Sequence, residues 1–532
     1  MSGECDILIV GGGTAGWMTA VYLAKTLGGT TGENIRITLI ESSEIGIIGV
    51  GEGTIPTIRA TMNTIGVDEA TFMRESNASF KQGIKFVNWT HAPETKPDDW
   101  YYHSFSHPRA MDNGGSLTPY WLMGLAGGAR YSDSVCLQDV LCEANRAPKT
   151  AQHAPYLGPM SYAYHFDAGK LASLLKRLAT ERGVRHLIGN VDQVPLGEDG
   201  AIDHIKTREH GDLRARLYID STGFAGVLIE QALGEKFRSL SDVLFVDRAV
   251  AIQVPYANDD ESVKVATTST AHEAGWTWDI PLIDRRGVGY VYSSAHTSDE
   301  RAEEVLRAYI GPAANGLTAR RLKLRVGERK RNWVKNCVAV GLSAGFLEPL
   351  ESTGIMMSEV AAHLISLLYA RDGDMNAAAN LFNRSMGERF RAVTDFIKLH
   401  YCLTKRTDSA FWVDNARPET IPDSLHERLA IWRHRPPDVF DFPSLHECFE
   451  ASNYQYILYG MEFETKVTPA LYPDRDAALR EFGRVRAAAK QAMAKLPDHR
   501  QLLREIYQNG LSPAGLSAAA AAERRIASLR GA

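Results

Sequence analysis

The chain has 532 residues, 44% of them apolar, and a net charge of −5, so it can bury a large core but has no basic excess for nucleic acid or an anionic membrane. Its six cysteines are widely spaced without a C-x-x-C pattern, which argues against a zinc site or a disulfide scaffold. The N-terminal apolar run has no basic region before it, and no run reaches roughly 18 apolar residues, so we expect a cytoplasmic protein without a metal, nucleic-acid or membrane site.

The first elements along the chain form a β-α-β unit around a glycine-rich turn. The pattern predicts a strand at residues 6–10, a helix at 17–27 and a second strand at 36–41. The first glycine of G-x-G-x-x-G permits a tight turn, the second lets the backbone approach a pyrophosphate at the helix N-terminus, and the third allows close packing. Alone, this pattern also fits a plain glycine turn, but a carboxylate ending the second strand suits a ribose hydroxyl. The predicted dinucleotide-binding residues are Gly11, Gly13, Thr14, Ala15, Gly16 and Glu41.

Later segments extend this sheet and add a second one. A helix is predicted at residues 168–180, and strands at 217–220 and 337–341 are expected to join the first sheet. Residues 233–300 alternate apolar and polar positions over short runs, which indicates a second, more antiparallel sheet. From Ser358 onward the pattern is mostly helical.

Four segments together resemble the flavin-dependent tryptophan (indole) halogenases. They are the glycine turn at residues 11–16, the segment 80–89 with its F-K-x-x-x-K-F-x-N-W pattern, the W-x-W-x-I-P segment at 276–281, and G-F-L-E-P-L-E-S-T-G at 345–354. The resemblance implies an α/β (α+β) fold with an FAD-binding, Rossmann-like three-layer core of the flavin monooxygenase type and a mixed second sheet. It further implies an FAD-binding core at residues 1–372, with inserted substrate-lining segments, and a mainly helical substrate module at 373–532.

FAD is favoured over NAD by two distal segments. Residues 220–223 and 338–342 resemble FAD-contacting segments of flavin monooxygenases, and residues 49–56 resemble the strap that covers the flavin in the halogenases, although an ordinary glycine-rich loop would look similar. The cofactor-binding residues that this resemblance adds are Val50, Val191, Leu342 and Ile355.

The residues implied in halogen chemistry lie in two of these segments. Small residues at Thr353 and Gly354 leave backbone N–H groups open to chloride or bromide. Lys81 can hydrogen-bond hypohalous acid as an ammonium or form a haloamine as an amine, and Lys85 is the alternative lysine four residues on. Glu351 can polarise the same intermediate or take the ring proton of the cationic product.

The substrate-lining segments match the family less well. His103, Phe105, Phe449 and Asn453 resemble residues that contact the indole ring, whose flat faces suit aromatic stacking. The tyrosine pair and glutamate that grip the amino-acid end of tryptophan have no evident counterpart at residues 433–442. The sequence therefore favours indole or an indole derivative over free tryptophan.

Two other functions remain open from the sequence. A flavin monooxygenase with the same fold would need neither Lys81 with Glu351 nor an anion site, and a non-catalytic FAD-binding protein would need no substrate. For a halogenase the resemblance implies FAD supplied as FADH2, O2 and a halide. Because no nicotinamide site is identifiable, we expect a separate NAD(P)H-dependent flavin reductase, and the sequence leaves a homodimer open.

Overall fold

The computed structural model describes residues 4–28, 35–46, 51–369, 375–442 and 447–512. The strands are β1 (Glu4–Val10), β2 (Ile37–Glu41), β3 (Glu52–Gly53), β4 (Ser79–Lys81), β5 (Gly83–Val87), β6 (Trp100–Ser104), β7 (Ala163–Phe166), β8 (Arg185–Ile188), β9 (Val191–Gln193), β10 (Ile205–Thr207), β11 (Gly211–Asp220), β12 (Phe237–Ser239), β13 (Arg248–Pro255), β14 (Thr267–His272), β15 (Gly275–Pro281), β16 (Arg285–Tyr292), β17 (Arg320–Lys323), β18 (Gly327–Arg329), β19 (Trp333–Val334), β20 (Cys337–Ala339) and β21 (Gly345–Phe346). The α-helices are α1 (Thr14–Leu27), α2 (Thr57–Thr64), α3 (Glu69–Glu75), α4 (Thr118–Leu122), α5 (Tyr131–Val135), α6 (Gln138–Glu143), α7 (Ala168–Glu181), α8 (Asp299–Ile310), α9 (Thr353–Leu368), α10 (Met375–Cys402), α11 (Ala410–Asn415), α12 (Asp423–Trp432), α13 (Ala451–Gly460), α14 (Arg475–Lys495) and α15 (His499–Asn509).

The first sheet is mainly parallel. Its strands run in the order β20-β11-β1-β2-β8, with β19 antiparallel at one edge. Ile7, Leu8 and Ile9 of the central strand β1 are fully buried, as expected for an interior strand of a parallel sheet. Helices α7 and α9 pack against α1. The predicted β-α-β unit and the strands joined to it are confirmed.

The second sheet is mixed, in the order β17-β13-β16-β15-β14-β5-β6. Its pairs are antiparallel except β14 with β5. The predicted antiparallel character of residues 233–300 is confirmed, and strands β5 and β6, from much earlier in the chain, complete the sheet. This arrangement brings His103 on β6 to the same sheet as Trp276 on β15.

A small three-stranded sheet holds Lys81. Its order is β3-β7-β4, with both pairs antiparallel. Gly53 on β3 pairs with His165 on β7, and Lys81 on β4 pairs with Ala163, which is also on β7. Strand β3, which lies in the segment predicted to cover the flavin, is thereby joined through β7 to the strand that carries the lysine.

The C-terminal part is helical, as predicted, and packs on the sheets. Helix α10 has 28 residues. Near its start the Asn383 side chain both donates to the Trp333 carbonyl and accepts from its N–H, each at 2.8 Å. Near its end, Phe396 belongs to the main buried hydrophobic cluster, and the ring of His400 packs against Phe396. The predicted division between residues 372 and 373 falls outside the described residues and stays a prediction. No helix in the described ranges is long and apolar enough to cross a membrane.

Candidate active site

The glycine turn after β1 has the close approaches that only glycine tolerates. Gly11 has φ +111°, and a Cβ placed on it would lie 2.2 Å from the carbonyl oxygen of Ser221. A Cβ on Gly16 would lie 2.0 Å from the carbonyl oxygen of Gly11. The first and third glycines are therefore required for the turn and for packing of the helix against the strand.

The N-terminus of α1 is open toward the expected pyrophosphate. Gly13 caps this 14-residue helix without a side-chain hydrogen bond, and a Cβ on it would meet no atom within 4 Å. Helix N-terminal N–H groups attract anions. The Thr14 hydroxyl donates to the Ala168 carbonyl at 3.4 Å. A Cβ on Gly341 would lie 2.6 Å from that of Ala15, so the turn that contains Leu342 packs on the start of α1.

Glu41 lies over the same turn. A Cβ on Gly12 would fall 1.5 Å from Glu41 Oε2, while Oε1 accepts from Lys176 Nζ at 3.1 Å and from His186 Nε2 at 2.8 Å. This geometry fits an FAD with its pyrophosphate at α1 and its ribose at Glu41. Val191 on β9 and Ile355 in the first turn of α9 are half-buried, and Val50 lies outside the described residues.

The predicted halide site falls at the N-terminus of α9. Ser352 has left-handed backbone angles, φ 57° and ψ 35°, and no side chain caps the helix. Thr353 and Gly354 are the first two helical residues, whose N–H groups have no acceptor within the helix. Gly354 is exposed, and a Cβ on it would meet no atom within 4 Å. The segment therefore offers open backbone donors with a favourable helix dipole.

Lys81 is fully buried beside this helix N-terminus. Its Nζ donates to Ser352 Oγ at 2.6 Å and lies 5.4 Å from the ring centroid of Phe105. Burial lowers the pKa of Lys81 to about 7, although the nearby Glu351 carboxylate opposes that shift. A Cβ on Gly53 would lie 3.1 Å from Nζ. Both the ammonium and the amine forms of Lys81 are thus populated near neutral pH.

Lys85 occupies a different environment. Its side chain is 21% exposed, and its Nζ donates to Glu143 Oε1 at 2.6 Å and lies 4.3 Å from a ring centroid of Trp100. It is on β5 in the second sheet, with an ion-pair partner of its own. The structure therefore separates the two candidate lysines.

Glu351 is buried between two imidazoles. Its Oε2 lies 2.7 Å from His103 Nδ1, and its Oε1 lies 3.0 Å from His400 Nε2. Burial would raise the pKa of Glu351, but His103 first and His400 second more than offset burial and lower the pKa to about 2. Glu351 is therefore a carboxylate at neutral pH. Sequence analysis missed His400, which at helical spacing after Phe396 looks like an ordinary core residue.

Asn453 reaches Glu351 through His103. Its Oδ1 accepts from the Glu450 N–H at 2.7 Å, so its amide nitrogen faces His103 Nε2, 2.8 Å away. Because an amide NH2 only donates, His103 Nε2 accepts and Nδ1 carries the proton that is donated to Glu351. His103 and Asn453 were expected to bind substrate. The structure joins them in a polar chain to the carboxylate, and their substrate contact stays a prediction.

Aromatic rings border this polar chain. Phe449 stacks on Phe396, with centroids 3.8 Å apart and planes 17° apart, and its side chain is buried. The His103 ring centroid lies 5.5 Å from that of Phe396. Phe105 is half-buried next to Lys81. The four predicted substrate residues therefore lie near Lys81 or near Glu351.

Comparison with known proteins gives the family. Residues 6–475 match the family model described as tryptophan halogenase. The chain belongs to the tryptophan halogenase family. A tryptophan 6-halogenase of Streptomyces toxytricini is 37% identical over 516 residues, covering 92% of this chain and 96% of that protein.

Solved structures agree with this membership. The tryptophan halogenase from Shewanella frigidimarina has 38% identity and a TM-score of 0.91, covering 96% of this chain and 98% of that one. A tryptophan C-6 flavin-dependent halogenase (chlorinase) from taromycin biosynthesis has 40% identity and a TM-score of 0.88, covering 94% and 99%. The chain is thus a flavin-dependent halogenase, an oxidoreductase that depends on a flavin and a halide, which confirms the predicted family and α/β fold class.

This halogenase has a second buried glutamate that sequence analysis did not single out. Glu348 Oε2 accepts from Trp276 Nε1 at 2.8 Å and from the Tyr401 hydroxyl at 2.6 Å. Burial raises the pKa of Glu348 to about 7. Two glutamates three positions apart therefore differ widely in pKa, because one faces imidazoles and the other faces weaker, neutral donors. Glu348 fixes the orientation of Trp276, and Trp278 lies on the same face of β15.

Proposed function

We propose that this halogenase makes hypohalous acid at the flavin and uses Lys81 and Glu351 to halogenate an indole-type aromatic. The observation that carries the proposal is the placement of both side chains against one short segment. Lys81 contacts Ser352, Glu351 precedes it, and the open amides of Thr353 and Gly354 follow it. Residues 351–354 and Lys81 thereby supply a halide site, a nitrogen donor and a base.

The flavin would be held by the glycine turn, the N-terminus of α1 and Glu41. When bound and reduced, FAD supplies the electrons that activate O2. We propose that a separate NAD(P)H-dependent flavin reductase provides the reduced flavin. The protein's own contribution at this stage is to hold chloride or bromide at Thr353 and Gly354, where N–H groups and the α9 dipole stabilise an anion.

Lys81 acts on the hypohalous acid. As an ammonium it donates a hydrogen bond and makes the halogen more electrophilic, and as an amine it forms a haloamine that carries the halogen. The lowered pKa of Lys81, about 7, supports both forms. Ser352 supports the first, since its hydroxyl holds Nζ at the start of α9.

Glu351 acts on the ring. Electrophilic attack leaves a cation whose ring carbon still bears a proton, and a buried carboxylate stabilises that charge and removes that proton. The low pKa of Glu351 supports this role, because the group is ionised when the cation forms. His103 supports it by directing an N–H to Oε2.

We propose that indole or an indole derivative is preferred to free tryptophan, although relatives are named for tryptophan. Supporting this, Arg435 pairs with Asp441, and Arg428 pairs with Glu447 at 2.8 Å. These four charged side chains are paired with one another and are therefore not available to bind the ammonium and carboxylate of tryptophan. Burying an unpaired ammonium and carboxylate would cost binding energy, whereas indole has no such groups.

Product formation tests the proposed function. Purified protein is supplied with FAD, a flavin reductase, NADH, O2 and either chloride or bromide, and indole products are read by mass spectrometry. A halogen isotope pattern that changes with the halide supports a halogenase acting on indole. A hydroxylated product without halogen would support a monooxygenase instead, and no product from indole, indole derivatives or tryptophan would contradict the proposal.

A further inference from the structure

His400 makes the second contact to the Glu351 carboxylate, at the oxygen that His103 does not bind. Its Nε2 lies 3.0 Å from Glu351 Oε1, and both side chains are buried. Within the described ranges neither atom makes a directed hydrogen bond. Catalytic hydrogen bonds are often poorly aligned until substrate binds. An imidazole nitrogen and a carboxylate oxygen at this separation can share one proton.

The other nitrogen of His400 fixes which of its atoms can take that proton. Nδ1 lies 2.9 Å from the carbonyl oxygen of Phe396, one turn earlier on α10. A carbonyl oxygen only accepts, so Nδ1 carries hydrogen. In a neutral His400, Nε2 therefore carries a lone pair. That lone pair faces Glu351 Oε1, which has lone pairs of its own.

His103 cannot take up the ring proton. Its Nδ1–H already donates to Glu351 Oε2, and its Nε2 accepts from the Asn453 amide. Accepting another proton at Nε2 would set two donors against each other, since Asn453 is itself held by the Glu450 N–H. The ring proton can therefore be held between Glu351 and His400, and not on the His103 side of the carboxylate.

We propose that His400 receives the proton that Glu351 removes from the halogenated ring. This inference rests on the proposed function. The C–H bond at the halogenated carbon breaks, its electron pair restores the aromatic ring, and the proton bonds to Glu351 Oε1. The proton then crosses to Nε2 of His400, which becomes an imidazolium paired with the regenerated carboxylate. His400 acts through Glu351 and is a positioning residue with a proton-holding role.

The surroundings favour transfer to the imidazole. An imidazole is ordinarily a stronger base than a carboxylate, so the proton passes from Glu351 to His400. The rings of Phe86, Trp89 and Phe396 have centroids 4.8, 6.0 and 5.4 Å from that of His400 and cover it.

Further titratable groups in the described part of the chain also act on Glu351. Lys81 and Tyr101 both interact electrostatically with Glu351. Burial raises the pKa of Tyr101 well above its usual value, so that phenol stays neutral. Lys81 belongs to the halogen-transfer step and is a donor when charged. Tyr101 is already protonated and does not compete with His400 for the ring proton, and Nζ of Lys81 is turned to Ser352.

The test is His400→Gln, assayed with indole and with ring-deuterated indole. Glutamine keeps an amide that can donate to Oε1 but cannot take up a proton. We expect kcat to fall by roughly 10-fold or more, as for loss of a proton-transfer group, with KM and FAD binding little changed. A primary deuterium isotope effect should appear, because ring-proton loss becomes slow. A merely structural role would lower the rate without this isotope effect and would overturn the proposal, as would a rate and isotope effect equal to wild type.

His296→Gln is the matched control. That imidazole is also mostly buried, but it bonds to Ser293 and Asp414, so we expect wild-type rate and isotope effect. An isotope effect equal to that of His400→Gln would overturn the assignment to His400.

His400→Asn covers the case in which His400→Gln does not fold. Its amide likewise cannot take up a proton, so the same isotope effect should appear. A wild-type isotope effect in a His400→Asn protein that is shown to be folded by circular dichroism would overturn the relay while leaving halogenation intact. Absence of halogenated product from wild type would instead overturn the proposed function itself.

Discussion

The ammonium nitrogen of Lys81 donates to the Ser352 hydroxyl across 2.6 Å, joining strand β4 to the residue that begins helix α9. The contact spans 271 positions of the chain. It holds the lysine next to the helix N-terminus that we propose for the halide. The same helix packs on α1, so the lysine is connected through α9 to the helix at which we expect the flavin pyrophosphate.

We predict that Lys81→Ala abolishes halogenation and leaves FAD binding intact, because no residue of the glycine turn contacts Lys81. Product is measured by mass spectrometry, and flavin binding by fluorescence titration. Lys85→Ala is the control and should have a small effect, since its Nζ is engaged by Glu143 in a partly exposed ion pair. Halogenation by Lys81→Ala beyond that caused by free hypohalous acid would contradict this role.

We predict that Glu351→Gln lowers kcat by roughly 10²-fold, the lower end for a positioned base or charge-stabilising group. Steady-state kinetics on indole provide the measurement. Glu348→Gln is a matched control, because burial already raises the pKa of Glu348 to about 7 and an amide replaces its protonated form well. Equal losses in the two variants would mean that Glu351 is only structural.

We predict that Lys81→Met raises the free energy of unfolding at pH 7 and below. The folded-state pKa of Lys81, about 7, lies below its usual value of 10.5, so the folded protein binds fewer protons than the unfolded chain between these values. Stability of the wild type therefore rises with pH across this window. The advantage of Lys81→Met, measured by denaturant titration, should be full below pH 7 and shrink as pH approaches 10.5. An advantage that does not change with pH would contradict the lowered pKa.

We predict a higher kcat/KM for indole or a decorated indole than for free tryptophan, with C3 the expected site on indole. C3 is the most nucleophilic carbon of the ring and nothing in the pocket is expected to pin the ring elsewhere. Competition between the two substrates in one reaction measures the ratio directly. A tenfold or greater preference for tryptophan, about 1.4 kcal/mol of transition-state binding, would reject the prediction.

Local patterns account for the parts of the site that the sequence predicted. The glycine turn and Glu41 follow from spacing along one β-α-β unit, and Lys81 was distinguished from Lys85 through the family resemblance. His400 could not be found this way. It meets Glu351 only because α10 folds back over the second sheet, and its own neighbours in sequence are apolar.

The same limit applies to charge. Glu348 and Glu351 look alike in the sequence, and burial acts to raise the pKa of both. Their pKa values differ because His103 and His400 reverse the effect of burial at Glu351, whereas the hydrogen bonds from Trp276 and Tyr401 do not reverse it at Glu348. The sheet content was predictable from apolar periodicity, and the fold class from the family resemblance. The joining of β5 and β6 to the second sheet was not, since strand pairing between distant segments leaves no local pattern.

The first turn of α13 has a consequence for engineering the pocket. Asn453 is aimed at His103 by the capping bond it accepts from Glu450, so the start of this helix decides which imidazole nitrogen carries hydrogen. Reshaping residues 447–453 to admit a larger substrate would therefore alter the acid–base state of the carboxylate as well as the size of the cavity. Libraries that randomise this loop should keep Glu450 and Asn453 in register, or select the two properties together.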